Sequence, residues 1–181
     1  MQTFNDLYPE SLYTRKISQL SLDQLTNIDK YLQVLLEKDS SLINKTHFFH
    51  DRHENIYLKV IENDELQHLI SECVLNAANI LNLNGDDLSI GYWFNLMQPG
   101  HVTTLHRHDD DDELLSAVIY LTVPEDSGNL ILKTPDQDIS LKPVTGNYIY
   151  FDPKTPHSVS VNESNTHRLS IGMNFGKKKH Q

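Results

Sequence analysis

Gly100-His-Val-Thr-Thr-Leu-His-Arg-His-Asp-Asp-Asp-Asp-Glu113 joins two segments that read as strands, Leu88–Met97 and Leu114–Val123. Residues i and i+2 of a strand point to the same face. His106 and His108 therefore project together, as two imidazoles reaching for one ion must. A third histidine, His157, stands far along the chain in Asp152-Pro-Lys-Thr-Pro-His157, where another strand-like run begins, and Arg168 lies further on. Paired nitrogen ligands, a distant third and a nearby arginine together point to a metal site.

The surrounding sequence supplies the frame. From Leu88 onward, short runs rich in Val, Ile, Tyr, Phe and Thr alternate with turn signals such as Gln98-Pro-Gly100, Pro124-Glu-Asp-Ser-Gly128, Thr134-Pro-Asp136 and Pro143-Val-Thr-Gly146. About eight short strands at this spacing, with no helical period among them, predict an antiparallel sandwich or barrel. Before Leu88 the pattern is mostly helical. Ser21 with Gln24 has capping-box spacing, and Leu22, Leu25, Ile28, Leu32 and Leu35 form one apolar face. Asp64 to Leu81 carries a second stripe through Leu66, Leu69, Ile70, Cys73, Val74, Ala77, Ile80 and Leu81, which Asn84-Gly-Asp-Asp87 should stop. Leu12–Ile17 reads as a first strand and Ile56–Val60 as another. Asn44–Glu54, with His47, His50 and His53, has no apolar period and reads as a loop. The expected fold is mainly β with α: a jelly roll with two N-terminal amphipathic helices packed on one side. Residues 1–181 are expected to form one domain, with 1–87 supporting a core at 88–176 and 177–181 a basic tail.

Composition narrows the function. The 181 residues are 38% hydrophobic and 22% charged, ordinary for a globular protein, and the formal net charge is −10. That sign argues against nucleic acid as a partner, since Lys177-Lys-Lys179 is the only basic run. No segment reads as a membrane span or a signal peptide, so no membrane partner is expected. The sole cysteine, Cys73, fits a cytoplasmic, reducing compartment and reads as a small buried hydrophobe rather than a nucleophile.

Two resemblances sharpen the reading. Gly100, His106, His108 and Glu113 match the spacing of the first cupin motif, and Gly146–Asn162, which contains His157, loosely matches the second. Lys154-Thr-Pro156 replaces the proline and glycine expected there. Over more of the chain, Tyr92-Trp-Phe-Asn-Leu96, Pro99-Gly100, His106-Arg-His108, Leu115–Leu121, Gly146–Phe151, His157 and Arg168-Leu-Ser-Ile-Gly-Met-Asn174 occur in an order that resembles small iron(II)/2-oxoglutarate-dependent oxygenases. Both families share the double-stranded β-helix, a form of jelly roll.

The second resemblance implies a dioxygenase that uses Fe(II) and 2-oxoglutarate, most simply a hydroxylase of an unidentified small molecule or peptide. It implies His106, His108 and His157 as metal ligands, where the usual set is two histidines and a carboxylate. His108-Asp-Asp110 offers the conventional His-x-Asp pair and makes Asp110 an alternate ligand. That register leaves only Asp111–Glu113 to reach Leu114, crowding like charges into a tight turn. The His106/His108 register is physically easier and would turn Thr104 inward beside the histidines. The resemblance further implies that Arg168 clamps the far carboxylate of 2-oxoglutarate through paired hydrogen bonds, with Ser170 beside it and Asn95 and Tyr120 as weaker contacts. A cupin-type dioxygenase or isomerase would add Glu113 as a fourth ligand and would have no need of an arginine clamp. A non-catalytic jelly-roll binding module would leave the histidines incidental. His101 and His167 read as solvated, Asp109–Asp112 as a hydrated loop and Trp93 as core.

Overall fold

The structure is a computed structural model and describes residues 4–7, 11–49, 52–108 and 112–178. In chain order the elements are α1 (Phe4–Leu7), β1 (Tyr13–Ile17), α2 (Leu22–Glu37), β2 (Ile43–Phe49), β3 (Arg52–Leu58) and α3 (Asp64–Leu81). After a 3-10 turn at Gly85–Asp87 come β4 (Leu88–Met97), β5 (Thr103–His106), β6 (Glu113–Thr122), β7 (Leu130–Lys133), β8 (Asp138–Leu141), β9 (Asn147–Phe151), β10 (His157–Val159) and β11 (Arg168–Lys177).

Two antiparallel sheets form the jelly roll. The larger runs β1-β9-β6-β11-β4-β3-β2 and the smaller β5-β10-β7-β8. Strand periodicity divides the larger sheet into two faces. Leu169, Ile171, Met173 and Phe175 of β11 join Leu115, Ala117 and Ile119 of β6 and Phe94 of β4 in a core shared with Leu25, Ile28 and Leu32 of α2 and Leu66, Leu69 and Cys73 of α3. The intervening residues Arg168, Ser170, Gly172 and Asn174 line a cavity on the opposite face, toward the smaller sheet. A second apolar cluster, containing Tyr120, Leu130, Leu132, Ile149 and Phe151, closes the space between the sheets.

The two helices form where the sequence places them. Ser21 and Gln24 make the reciprocal capping box at the start of α2. Leu22, in the first turn, stays exposed, so the buried stripe begins at Leu25. Helix α3 starts from Asn63, whose side chain accepts from the Leu66 N–H. It stops at Asn82, which takes the left-handed conformation (φ 52°), before the Gly-Asp-Asp turn is reached. Cys73 of α3 is fully buried. No described helix is long and apolar enough to cross a membrane.

The segment Asn44–Glu54 corrects the sequence reading: it belongs to a hairpin of β2 and β3, and β3 begins at Arg52 rather than Ile56. β2 is the outermost strand of its sheet and is largely exposed. Beyond Ile43, which packs against the core, its described residues are mostly exposed, so no alternating apolar face marks it. His50 of that segment lies outside the described residues.

Candidate active site

The turn before β10 places His157. The Asp152 carboxylate accepts from the Lys154 N–H at 2.7 Å, and the Asp152 carbonyl accepts from the Thr155 N–H at 3.0 Å. His157 then pairs in register with His106 across the β10–β5 ladder. Just past β5, the His108 N–H donates to the Pro153 carbonyl at 3.0 Å, tying the third imidazole to the same turn. The ligand atoms of His106, His108 and His157 all fall within 4.8 Å of one another.

Two of these imidazoles have a fixed orientation. His106 Nδ1 meets the Thr104 carbonyl at 2.8 Å, and His157 Nδ1 meets the Thr155 carbonyl at 2.9 Å. A carbonyl only accepts, so each Nδ1 carries the proton and each Nε2 keeps its lone pair for a ligand role. Burial, reinforced by His106 and then opposed by the Thr155 carbonyl, pushes the His157 pKa down to about 4. His157 is thus neutral, the form that binds metal. At His108, Nδ1 lies 3.2 Å from Asn174 Nδ2 and 3.9 Å from Glu113 Oε2. Asn174 also donates to Glu113 Oε1 at 2.7 Å and accepts from Ser116 Oγ at 2.9 Å. Glu113 therefore stands beside His108 at Nδ1, and the cluster of converging ligand atoms does not include it. Asp110, the alternate carboxylate, lies outside the described residues.

Deeper in the cavity is Arg168, 1% exposed. Its Nη1 donates to the carbonyls of Gly128 at 2.8 Å and Ser127 at 3.3 Å, and its guanidinium sits 5.1 Å from the Tyr120 ring centroid. Gly128 lets its turn close on the neighbouring backbone: it has φ +90°, and a Cβ there would lie 2.3 Å from the Ser160 carbonyl oxygen. Among the described residues no carboxylate pairs with Arg168, and both its Nε and the buried Tyr120 hydroxyl lack a hydrogen-bond partner. Burial holds the arginine pKa below its ordinary value and pushes the Tyr120 phenol up to about 12. A buried cation with idle donors is costly unless an anion meets it. Ser170 lies two residues along β11 and lines the same cavity, as does Asn95.

Four features escape the sequence reading. Trp93, read as core, is half-buried and lines the cavity beside His108, with ring centroids 5.8 Å apart. Its sheet neighbour is Gly172, where a Cβ would come within 2.6 Å of the indole. Arg52 ties the β2–β3 hairpin to the site, donating to the Val102 carbonyl at 2.8 Å and to Glu54 at 3.2 Å. His167, read as solvated, meets Asp29 of α2 at 2.8 Å, and Asp29 also accepts from Gln33 and Thr122. Thr104 is exposed at the cavity mouth, and Thr103 is the buried residue of β5. His101 Nδ1 accepts from the Gln98 N–H at 3.0 Å within its turn.

No curated protein matches the chain by sequence. Solved structures do match in fold. A prolyl-4-hydroxylase from Pseudomonas putida superimposes with a TM-score of 0.71 at 20% identity, covering 97% of each chain. The non-haem α-ketoglutarate-dependent carbocyclase SnoK from nogalamycin biosynthesis gives 0.73 at 15% identity, over 97% of this chain and 86% of that one. A 2OG-Fe(II) oxygenase-family oxidoreductase from Burkholderia pseudomallei gives 0.70 at 15% identity, over 97% and 89%. The sequence model of the 2OG-Fe(II) oxygenase superfamily matches residues 92–176, the span from β4 to β11 that carries all three histidines and Arg168. Over that span the chain matches the 2OG-Fe(II) oxygenase superfamily, whose cofactors are Fe(II) and 2-oxoglutarate.

Proposed function

We propose that the protein is a hydroxylase in which His106, His108 and His157 hold iron(II) and Arg168 receives the far carboxylate of 2-oxoglutarate. One observation carries this reading: three converging imidazoles and a buried arginine without an anion share one cavity. The donor set fits both groups. Neutral imidazole suits iron, and the planar guanidinium suits a carboxylate. Ser170 and the Tyr120 hydroxyl add neutral donors to the same end, while Asn95 lines the cavity nearer Trp93. When bound, iron and 2-oxoglutarate supply dioxygen activation coupled to oxidative decarboxylation, yielding succinate, carbon dioxide and an oxidised substrate C–H bond.

The chain's own residues position and insulate that chemistry. The Thr104 and Thr155 carbonyls hold two imidazoles with Nε2 presented, and Asn174 with Glu113 flanks the third. Tyr120, Leu130 and Phe151 exclude water around Arg168. Three neutral ligands leave the ion's two positive charges uncompensated, so the dianionic cosubstrate favours iron binding and iron favours the cosubstrate. Anaerobic titration with iron(II) and 2-oxoglutarate tests the reading. A visible charge-transfer band that needs both components is expected, and iron should bind more tightly when 2-oxoglutarate is present. Absence of the band, or a band indifferent to Arg168, would sink it. A four-ligand cupin centre is less favoured, because Glu113 meets His108 and Asn174 instead of converging with the three histidines.

A further inference from the structure

A chamber of about 490 Å³ opens beside His106 and His108, outside the cavity that holds Arg168. The β2–β3 hairpin forms one wall through His47, Glu54, Asn55 and Tyr57, and Trp93 lies between the hairpin and the histidines. We propose that this chamber is the primary-substrate site and that it takes an uncharged or amine-bearing polyhydroxylated ring, a sugar or aminosugar unit. The assignment rests on the oxygenase reading above and names the substrate class of that site.

Three observations carry it. The first is the platform. Trp93 faces Gly172 across the β4–β11 ladder, where any Cβ would collide with the indole. The ring therefore packs on bare backbone, flanked by Tyr57 at 6.5 Å and His108 at 5.8 Å between ring centroids. An aromatic plane of this kind suits a ligand with an apolar face of C–H groups, and it places those bonds next to the metal ligands. The second is the lining. Among the described residues no aliphatic side chain borders the chamber, whereas small-molecule pockets are usually mostly apolar and peptide grooves hold apolar anchors. Asn55 Oδ1, Asn95 Nδ2 and Thr104 Oγ1 bond no described residue, which leaves neutral donors and acceptors for hydroxyl groups.

The third observation is charge. Among the described residues of the lining, Glu54 is the only acidic side chain, and no lysine or arginine is present. Arg52, behind it and outside the lining, directs its Nη2 to Glu54, the Val102 carbonyl and Thr103. The described lining therefore offers a phosphate or carboxylate no cation, whereas an amine could share Glu54. The wall is also specially shaped. The β2–β3 ladder runs in register through Thr46↔Asn55, skips His47 and Glu54, and resumes at Phe48↔His53, with His47 at φ 56°. A non-glycine residue in the left-handed region costs free energy, and here both skipped residues border the chamber.

Trp93 is the only tryptophan in the chain, so intrinsic fluorescence reads this chamber directly. The test is an anaerobic titration of the iron(II)–2-oxoglutarate-loaded protein with a panel of methyl hexosides and disaccharides, glucosamine, a hexose 6-phosphate and a proline-containing tripeptide. At least one neutral sugar or aminosugar should change the emission saturably, with the phosphate ester binding roughly tenfold more weakly or not at all. Asn55→Ala should weaken that sugar roughly tenfold, the loss of about one hydrogen bond, and leave the iron–cosubstrate band intact. Trp93→Ala should abolish sugar-stimulated succinate release while keeping the band. The proposal is overturned if no sugar perturbs Trp93, if the tripeptide binds and the sugars do not, or if the phosphate ester binds as tightly as its parent. Failure of the band itself would strike the oxygenase reading instead.

Discussion

Arg168 is a buried cation whose side-chain contacts are two carbonyls and an aromatic ring. Arg168→Ala should therefore abolish tight 2-oxoglutarate binding and spare iron. A buried charge-assisted pair is worth about 3–5 kcal/mol, at least about a hundredfold in Kd, which calorimetry on the iron-loaded protein would measure. The ligand set has an equally direct check: His106→Ala should lose its iron and Asp110→Ala should keep it, as read by metal analysis after gel filtration. The reverse outcome would restore the conventional two-histidine, one-carboxylate set. His157 adds a pH signature to the metal-free protein. Its pKa falls from 6.5 in the unfolded chain to about 4 in the folded one. Between those values the unfolded chain binds the extra proton, so stability should rise with pH from about 4 to 6.5 and level off above. The expected span is on the order of 3 kcal/mol, and denaturant melts of wild type against His157→Ala would isolate it. These histidines were legible from their spacing and one distant turn, although β5 ends at His106 and His108 is held by the Pro153 carbonyl instead of by strand periodicity. Trp93, Asn174 and Arg52 were not, because their roles depend on which residue faces them across the sheet, and that register is not written locally.

At the scale of elements, the sequence signals were strong where an element has one buried face. Helix α3 spans Asp64–Leu81 as its stripe predicts, and β4 spans Leu88–Met97. In the β2–β3 hairpin only the end of β3 gave such a signal, since the outer strand β2 is largely exposed. The capping box of α2 offers a quantitative check. Ser21→Ala removes the acceptor for the Gln24 N–H, which should cost about 1 kcal/mol and lower Tm by about 2–4 °C. A scanning calorimetry shift well under 1 °C would show that α2 is held by docking alone. Asp29 makes that docking specific, because it bonds Thr122 of β6 and His167 just before β11.

Across the whole molecule, stability and chemistry occupy opposite faces of one sheet. The large apolar core lies with the helices, while the histidines and Arg168 lie with the smaller sheet. Losing the metal should therefore leave the fold standing: His157→Ala should lose iron yet keep its circular dichroism spectrum and a cooperative melt. An unfolded variant would show that the site is part of the structural core. Jelly-roll topology was readable from the succession of turns, but the division into two faces emerges only once β11 is seated between β4 and β6. That division also settles the fate of the single thiol. Cys73 is wholly buried on the helix side, and burial pushes its pKa up, so the reactive thiolate is scarce as well as hidden. Stray oxidants from miscarried turnover would find no accessible sulfhydryl to convert, and air-aged samples should form no disulfide-linked dimers. A cysteine introduced on the hairpin would be the one site that a maleimide dye reaches, which opens the movement of that wall to distance measurement without any background to remove.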